Sequence, residues 1–267
     1  MIKQDRFVFK EFTDINILSK KDSSLLANLD DLKSVTWENS METSNATGAG
    51  GVVIASYDKN KASTISGSNA TITDGLLALQ TGGEVTNSVQ LIPNHMDYIQ
   101  LDSETEAKTE FVAVGAEGAE IKYLYKYESN SFNSEKYTQD AEADASHFAY
   151  DPVTKVITLP VDVFKAGDVV VAQYDFKCEA KHLSNETDKF PTAVRVEANA
   201  LFTNLCTGED YLGKVVYPNA KADGNFSIET GDEPAVHNFS FSAMQDRCSG
   251  TKAILWDYFI YDTADAK

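Results

Sequence analysis

The chain has 267 residues, 42% of them hydrophobic and 10% aromatic, which is too apolar for a disordered polymer and long enough to bury about 70% of the surface the unfolded chain exposes. Its 41 acidic residues against 23 basic ones leave a net charge of −18. A surface so short of lysine and arginine argues against grip on a nucleic-acid backbone, which depends on cations that displace counterions, and against an anionic membrane surface.

The N-terminal stretch mixes charge with its apolar residues, so it has no signal-peptide core, and no apolar run reaches the ~20 residues of a membrane helix. Synthesis in a reducing, soluble compartment is expected. Phe7, Phe9 and Phe12 sit in this otherwise polar segment. They are either contacts for a partner or the start of a strand packed on its own core. Asp22-Ser23-Ser24 ahead of Leu25, Leu26, Leu29 and Leu32 predicts a short capped helix. Seven of the 15 glycines lie between Gly48 and Gly83, and the run Gly48-Ala49-Gly50-Gly51 predicts a tight turn leading into a strand at Val52–Ala55. A second helix is predicted over 73–82, with Thr73 or Asp74 as cap and Gly82 as stop.

Residues 97–151 hold 13 acids and four lysines, a net of −9. This region is expected to be an acidic loop or insertion, with Asp140–Asp144 a solvated segment. Strand candidates follow at Ile121–Tyr127, Val153–Leu159, Val170–Ala180, Val194–Phe202, Phe239–Met244 and Ala253–Tyr261. In Val170–Ala180 and Val194–Phe202 apolar residues alternate with polar ones, so one face meets a core and the other water or a polar partner. The last candidate is bulky on both faces and is expected to be covered on both sides. The whole predicts a mainly β fold: two packed antiparallel sheets, sandwich- or barrel-like, with one or two short helices, as a single domain over residues 1–267.

Chemistry is absent from the pattern. His95, His147, His182 and His237 share no motif, and there is no nucleophile elbow, metalloprotease pair or phosphate-binding loop. The glycine cluster at 48–51 opens into a strand, whereas a phosphate cradle opens into a helix. Cys178, Cys206 and Cys248 lack metal-ligand spacing and are read as buried, reduced thiols. Trp37 and Trp256 are read as core or interface residues, and Tyr123, Tyr125 and Tyr127 as cross-strand packing. No catalytic residue, metal or cofactor is expected, and the chain is not expected to be an enzyme.

Three segments carry a resemblance: GAGGVVIASYDKNKASTISGSNATITDGLLALQTGGEV from residue 48, YPNAKADGNFSIETGDEPAVHNFSFSAM from residue 217, and the closing AILWDYFIYD. Together they resemble the bacteriophage tail tube, or major tail, protein family. The resemblance implies self-assembly into stacked rings, commonly hexamers, whose joined sheets enclose a channel that DNA crosses without being bound. It implies contacts with other tail proteins, a place in the virion tail after synthesis in the host cytoplasm, and no membrane. Phe7, Phe9, Gly48, Gly50 and Gly51 are the candidates for contacts between subunits or rings. The alternatives are a surface carbohydrate- or receptor-binding β-sandwich, or another virion component such as a capsid decoration or connector protein. A hydrolase using paired acids is a further alternative, though no pair stands out.

Overall fold

The two alternating stretches both fold as strands, and they anchor two separate sheets. A computed structural model describes residues 6–128, 131–229, 236–246 and 253–261. In chain order the elements are β1 (Phe7–Ser19), β2 (Leu25–Leu29), β3 (Leu32–Thr47), β4 (Val53–Asn69), α1 (Asp74–Thr81), β5 (Thr86–Gln100), β6 (Glu106–Lys108), β7 (Ile121–Glu128), β8 (Ser131–Gln139), β9 (His147–Asp151), β10 (Val156–Thr158), β11 (Val169–His182), β12 (Ala193–Asn204), β13 (Asp210–Ala222), β14 (Ile228–Glu229), β15 (Val236–Ala243) and β16 (Asp257–Tyr261). Among the described residues the chain is mainly β, with two sheets and one α-helix, as the alternation predicts.

Residues 1–85 and 183–267 make one unit. Its sheet runs β2-β1-β12-β13-β15-β4-β3, with β16 also on β13 and β14 on β15. Burial alternates residue by residue along β12, so Val194, Val196, Ala198, Ala200 and Phe202 all face a core shared with Ile15, Ile17, Leu29, Tyr217 and Phe241. Helix α1 covers part of this core through Leu76 and Leu79. Thr73 precedes it and Gly82, at φ 74°, ends it in the left-handed conformation that favours glycine. The expected helix at 22–32 is instead a turn and a strand. Asp22 Oδ1 accepts from the Ser24 amide at 3.2 Å and its hydroxyl at 2.8 Å, and Ala27 and Leu29 then pair with Ile17 and Ile15. So few residues cannot repay helix nucleation, whereas adding to an existing strand buries alternate side chains at once.

Residues 86–182 make the second unit, a sheet in the order β5-β11-β7-β8-β9-β10-β6 that curls into a half-barrel. All its pairings are antiparallel except β8 with β9. Its own core holds Ile121, Leu124, Phe148, Ile157, Val170 and Tyr174. The acidic stretch 97–151 lies within this unit and includes strands β6 to β9. Asp140, Glu142 and Asp144 are exposed. The strand expected over Val153–Leu159 shortens to Val156–Thr158. Asp151 accepts from the Val153 amide at 2.9 Å and the Thr154 hydroxyl at 2.6 Å, an Asx turn that holds this segment out of the ladder.

Two further expectations are corrected. The closing strand spans only Asp257–Tyr261, and it is not covered on both sides: Tyr258, Phe259 and Tyr261 are exposed. Cys206 is exposed and Cys178 half-buried, so neither is a fully buried thiol; Cys248 lies outside the described residues. Trp37 and Trp256 meet edge to face at 4.9 Å and pack against the first core.

Candidate assembly surface

Strands β3 and β4 pair from Leu32 and Asn69 out to Thr47 and Val53, but β15 accompanies β4 only from Thr64 to Asn69. Among the described residues the hairpin beyond Asn39 and Ser63 is therefore a two-stranded ribbon, roughly 30 Å long at the usual rise per residue. Its tip closes with the Gly48 amide donating to Val52 O at 2.8 Å. Gly50 and Gly51, at φ 82° and 78°, supply a left-handed turn that side chains resist.

An isolated ribbon is marginal in water, and this one carries Met41, Val53, Ile54 and Tyr57 at 51–73% exposure. Cross-strand bonds hold it in shape: Thr43 donates to Asp58 at 2.8 Å, Ser56 to Asn45 at 2.7 Å and Asn60 to Glu42 at 2.8 Å. Residues 39–62 hold Glu42 and Asp58 against Lys59 and Lys61, so this arm is electrically neutral in a chain of net charge −18. Apolar surface without net charge is what a second copy could approach without repulsion.

Among the described residues, β2 covers β1 only from Ile15 to Leu18, which leaves the outer edge of Phe7–Asp14 open. The three phenylalanines there divide. Phe12 joins the core, Phe7 packs partly against it and edge-on to Tyr211 at 5.5 Å, and Phe9 remains 41% exposed over Phe12 and Phe202. Register shifts at Phe9/Glu11 and Phe12/Asp14, together with Lys10 held on Asp210 at 2.9 Å, blunt this edge. The edge of β5 in the second unit is less guarded. Thr86 to Ile92 carries no charge and exposes Val89 and Leu91 before Pro93 interrupts it. Residue-level reading of the sequence missed this strand, the whole of β3 and β13; an uncharged run of seven residues was the available signal for β5.

The face of the first sheet opposite its core is polar and cross-linked. Asn28 donates to Asn16 at 2.8 Å, and Asn16 and Asn199 each donate to Asp14 Oδ1 at 2.7 Å, a chain of amides across β2, β1 and β12. Beside it Glu197 receives Arg195 at 2.7 Å and Lys214 at 2.8 Å. Burial raises the Glu197 pKa, but the bonds from Lys214 and Arg195 outweigh it and leave the carboxyl below its ordinary value. The other displaced carboxyls, Asp22, Asp144, Asp151, Asp168, Asp175 and Asp210, are also lowered, each chiefly by hydrogen bonds it accepts. Those charges stay on at neutral pH.

Among the described residues no helix is long and apolar enough to cross a membrane. Residues 7–256 match the sequence profile of the YomU/Tube protein family, which bears out the resemblance to tail tube proteins. No curated protein matches the chain.

Proposed function

The chain belongs to the YomU/Tube protein family, and from that membership we propose that its copies assemble into stacked six-membered rings that form the tube of a phage tail. The observation that carries this reading is the β3–β4 arm: neutral, two-stranded and apolar on exposed positions, it is incomplete as a monomer surface and complete as a contact between copies. Gly48, Gly50 and Gly51 shape its tip. The open edges of β1, with Phe9, and of β5 add strand-to-strand contacts that would remove the aggregation hazard each edge poses.

Six copies would carry −108 (6 × −18). A channel wall of that sign repels phosphate over about 8 Å at physiological salt, so DNA slides through without being held. On the polar face around Asp14 and Glu197 the two cations, Arg195 and Lys214, are held on Glu197, so that face is neutral and neither cation is left free to hold phosphate. The tube is a virion component whose partners are further copies of this chain and other tail proteins; its role is structural, with no reaction to catalyse.

Co-sedimentation with linear double-stranded DNA tests the reading. Concentrated protein is expected in the pellet and DNA in the supernatant at about 0.15 M salt. DNA carried down with the protein, or protein that never pellets, would contradict it.

A further inference from the structure

In the second unit, one ring nitrogen of His95 and one carboxylate oxygen each of Asp97 and Glu110 lie within 4.8 Å of one another. His95 and Asp97 are two apart on β5 and so share a face. Asn94, at φ 53°, and the register shift opposite it form a bulge directly before them, a device that re-aims side chains. Glu110 follows β6 and is tethered by its backbone: its amide donates to Asp97 Oδ2 at 2.7 Å and its carbonyl accepts from Lys155 Nζ at 2.8 Å.

Two independent features of this cluster call for a cation. Asp97 is only 8% exposed, and among the described residues no lysine or arginine pairs with it. Among the described residues its hydrogen-bond donors are the Glu110 amide and the Tyr174 hydroxyl, the latter at 2.9 Å, both to Oδ2, and none reaches Oδ1. Buried carboxylates are normally paired or bound to metal. The second feature is His95, whose ring lies edge-on to Phe111, Tyr174 and Phe176 at 5.2–5.4 Å. Its Nε2 is shut off from solvent without a hydrogen-bond partner among the described residues.

We propose that His95, Asp97 and Glu110 form a structural site for a divalent transition-metal ion of the zinc type. An imidazole nitrogen with two carboxylate oxygens selects zinc and its neighbours over magnesium or calcium, which take oxygen ligands. Tyr174 and the Glu110 amide orient Asp97 in the way outer-shell donors orient metal-binding carboxylates. Glu110 is exposed and its carboxylate makes no described hydrogen bond, so it is free to close on the ion, with water completing the coordination. The ion would clamp the edge strand β5 to the segment after β6.

Calorimetric titration of the tag-free full chain with zinc chloride tests this, beside Glu110→Gln and His95→Phe, the latter keeping an aromatic ring among its ring neighbours. One saturable site per chain is expected, weakened at least tenfold in either variant, with no comparable heat from magnesium chloride. Absence of saturable zinc binding, or binding unchanged in Glu110→Gln, would overturn the proposal. Because Glu110 is exposed, that variant decides the matter even if His95→Phe does not fold.

Discussion

His237 Nε2 and Gln80 Oε1 lie 2.7 Å apart inside the first core. Gln80 Nε2 in turn donates to the Asn238 carbonyl at 3.0 Å, which fixes the amide so that Oε1 faces the imidazole as acceptor. The link joins α1 to β15 and needs a proton on Nε2, while Nδ1 is buried with no hydrogen-bond partner among the described residues, so the site holds the uncharged Nε2–H ring. Burial holds the His237 pKa below its ordinary 6.5. The unfolded chain therefore takes up a proton at a higher pH than the folded one. The stabilisation is complete above about pH 6.5 and is lost as pH falls toward the lowered folded value. Urea unfolding at about pH 7.5 and about pH 5.5 should give a lower midpoint at the acid end, and His237→Gln should flatten that difference. His147, raised by its bond to Asp144, acts in the opposite sense, so an unchanged slope in His237→Gln would contradict the assignment.

Replacing Tyr174 by phenylalanine removes a donor from buried Asp97 and an acceptor from the Phe111 amide, 3.2 Å away. The volume is retained, so the loss is polar. We expect destabilisation of about 1–3 kcal/mol, read as a lower melting temperature. No change would mean that water replaces both bonds.

The arm separates assembly from folding. Val53 and Ile54 are more than half exposed, so Val53→Asp with Ile54→Asp should leave monomer stability within about 0.5 kcal/mol. The same pair should abolish sedimenting assemblies. Intact assembly in the double variant would move the contact away from the arm.

Charge should set the conditions for assembly. Copies at −18 repel one another over about 30 Å at 0.01 M salt but only about 8 Å at 0.15 M. Light scattering should show assembly favoured by added salt. Assembly that weakens with salt would point to ion pairs as the main contact.

What could be read from the sequence follows from which faces are buried. β11 and β12 were legible because each has one wet and one dry side, and α1 because Thr73 and Gly82 bound a leucine run. The outer halves of β3 and β4 left little periodic trace: both faces of Glu38–Glu42 are exposed, so nothing forces alternation. Pro93 and Asn94 broke the pattern of β5 and hid the pairing of His95 with Asp97. At Leu25–Leu29 the leucine spacing fitted a helix and a strand alike, and only β1 as a neighbour decided between them. Among the contact candidates, the glycines fall at the arm's tip, whereas Phe7 packs partly on its own core and edge-on to Tyr211.

Negative-stain electron microscopy of concentrated protein, with its mass measured by light scattering, tests the central claim most directly. Ring assembly predicts hollow tubes or rings with six subunits in end view and a bore that admits the ~20 Å DNA duplex. Closed trimers, or solid fibres with no bore, would contradict it.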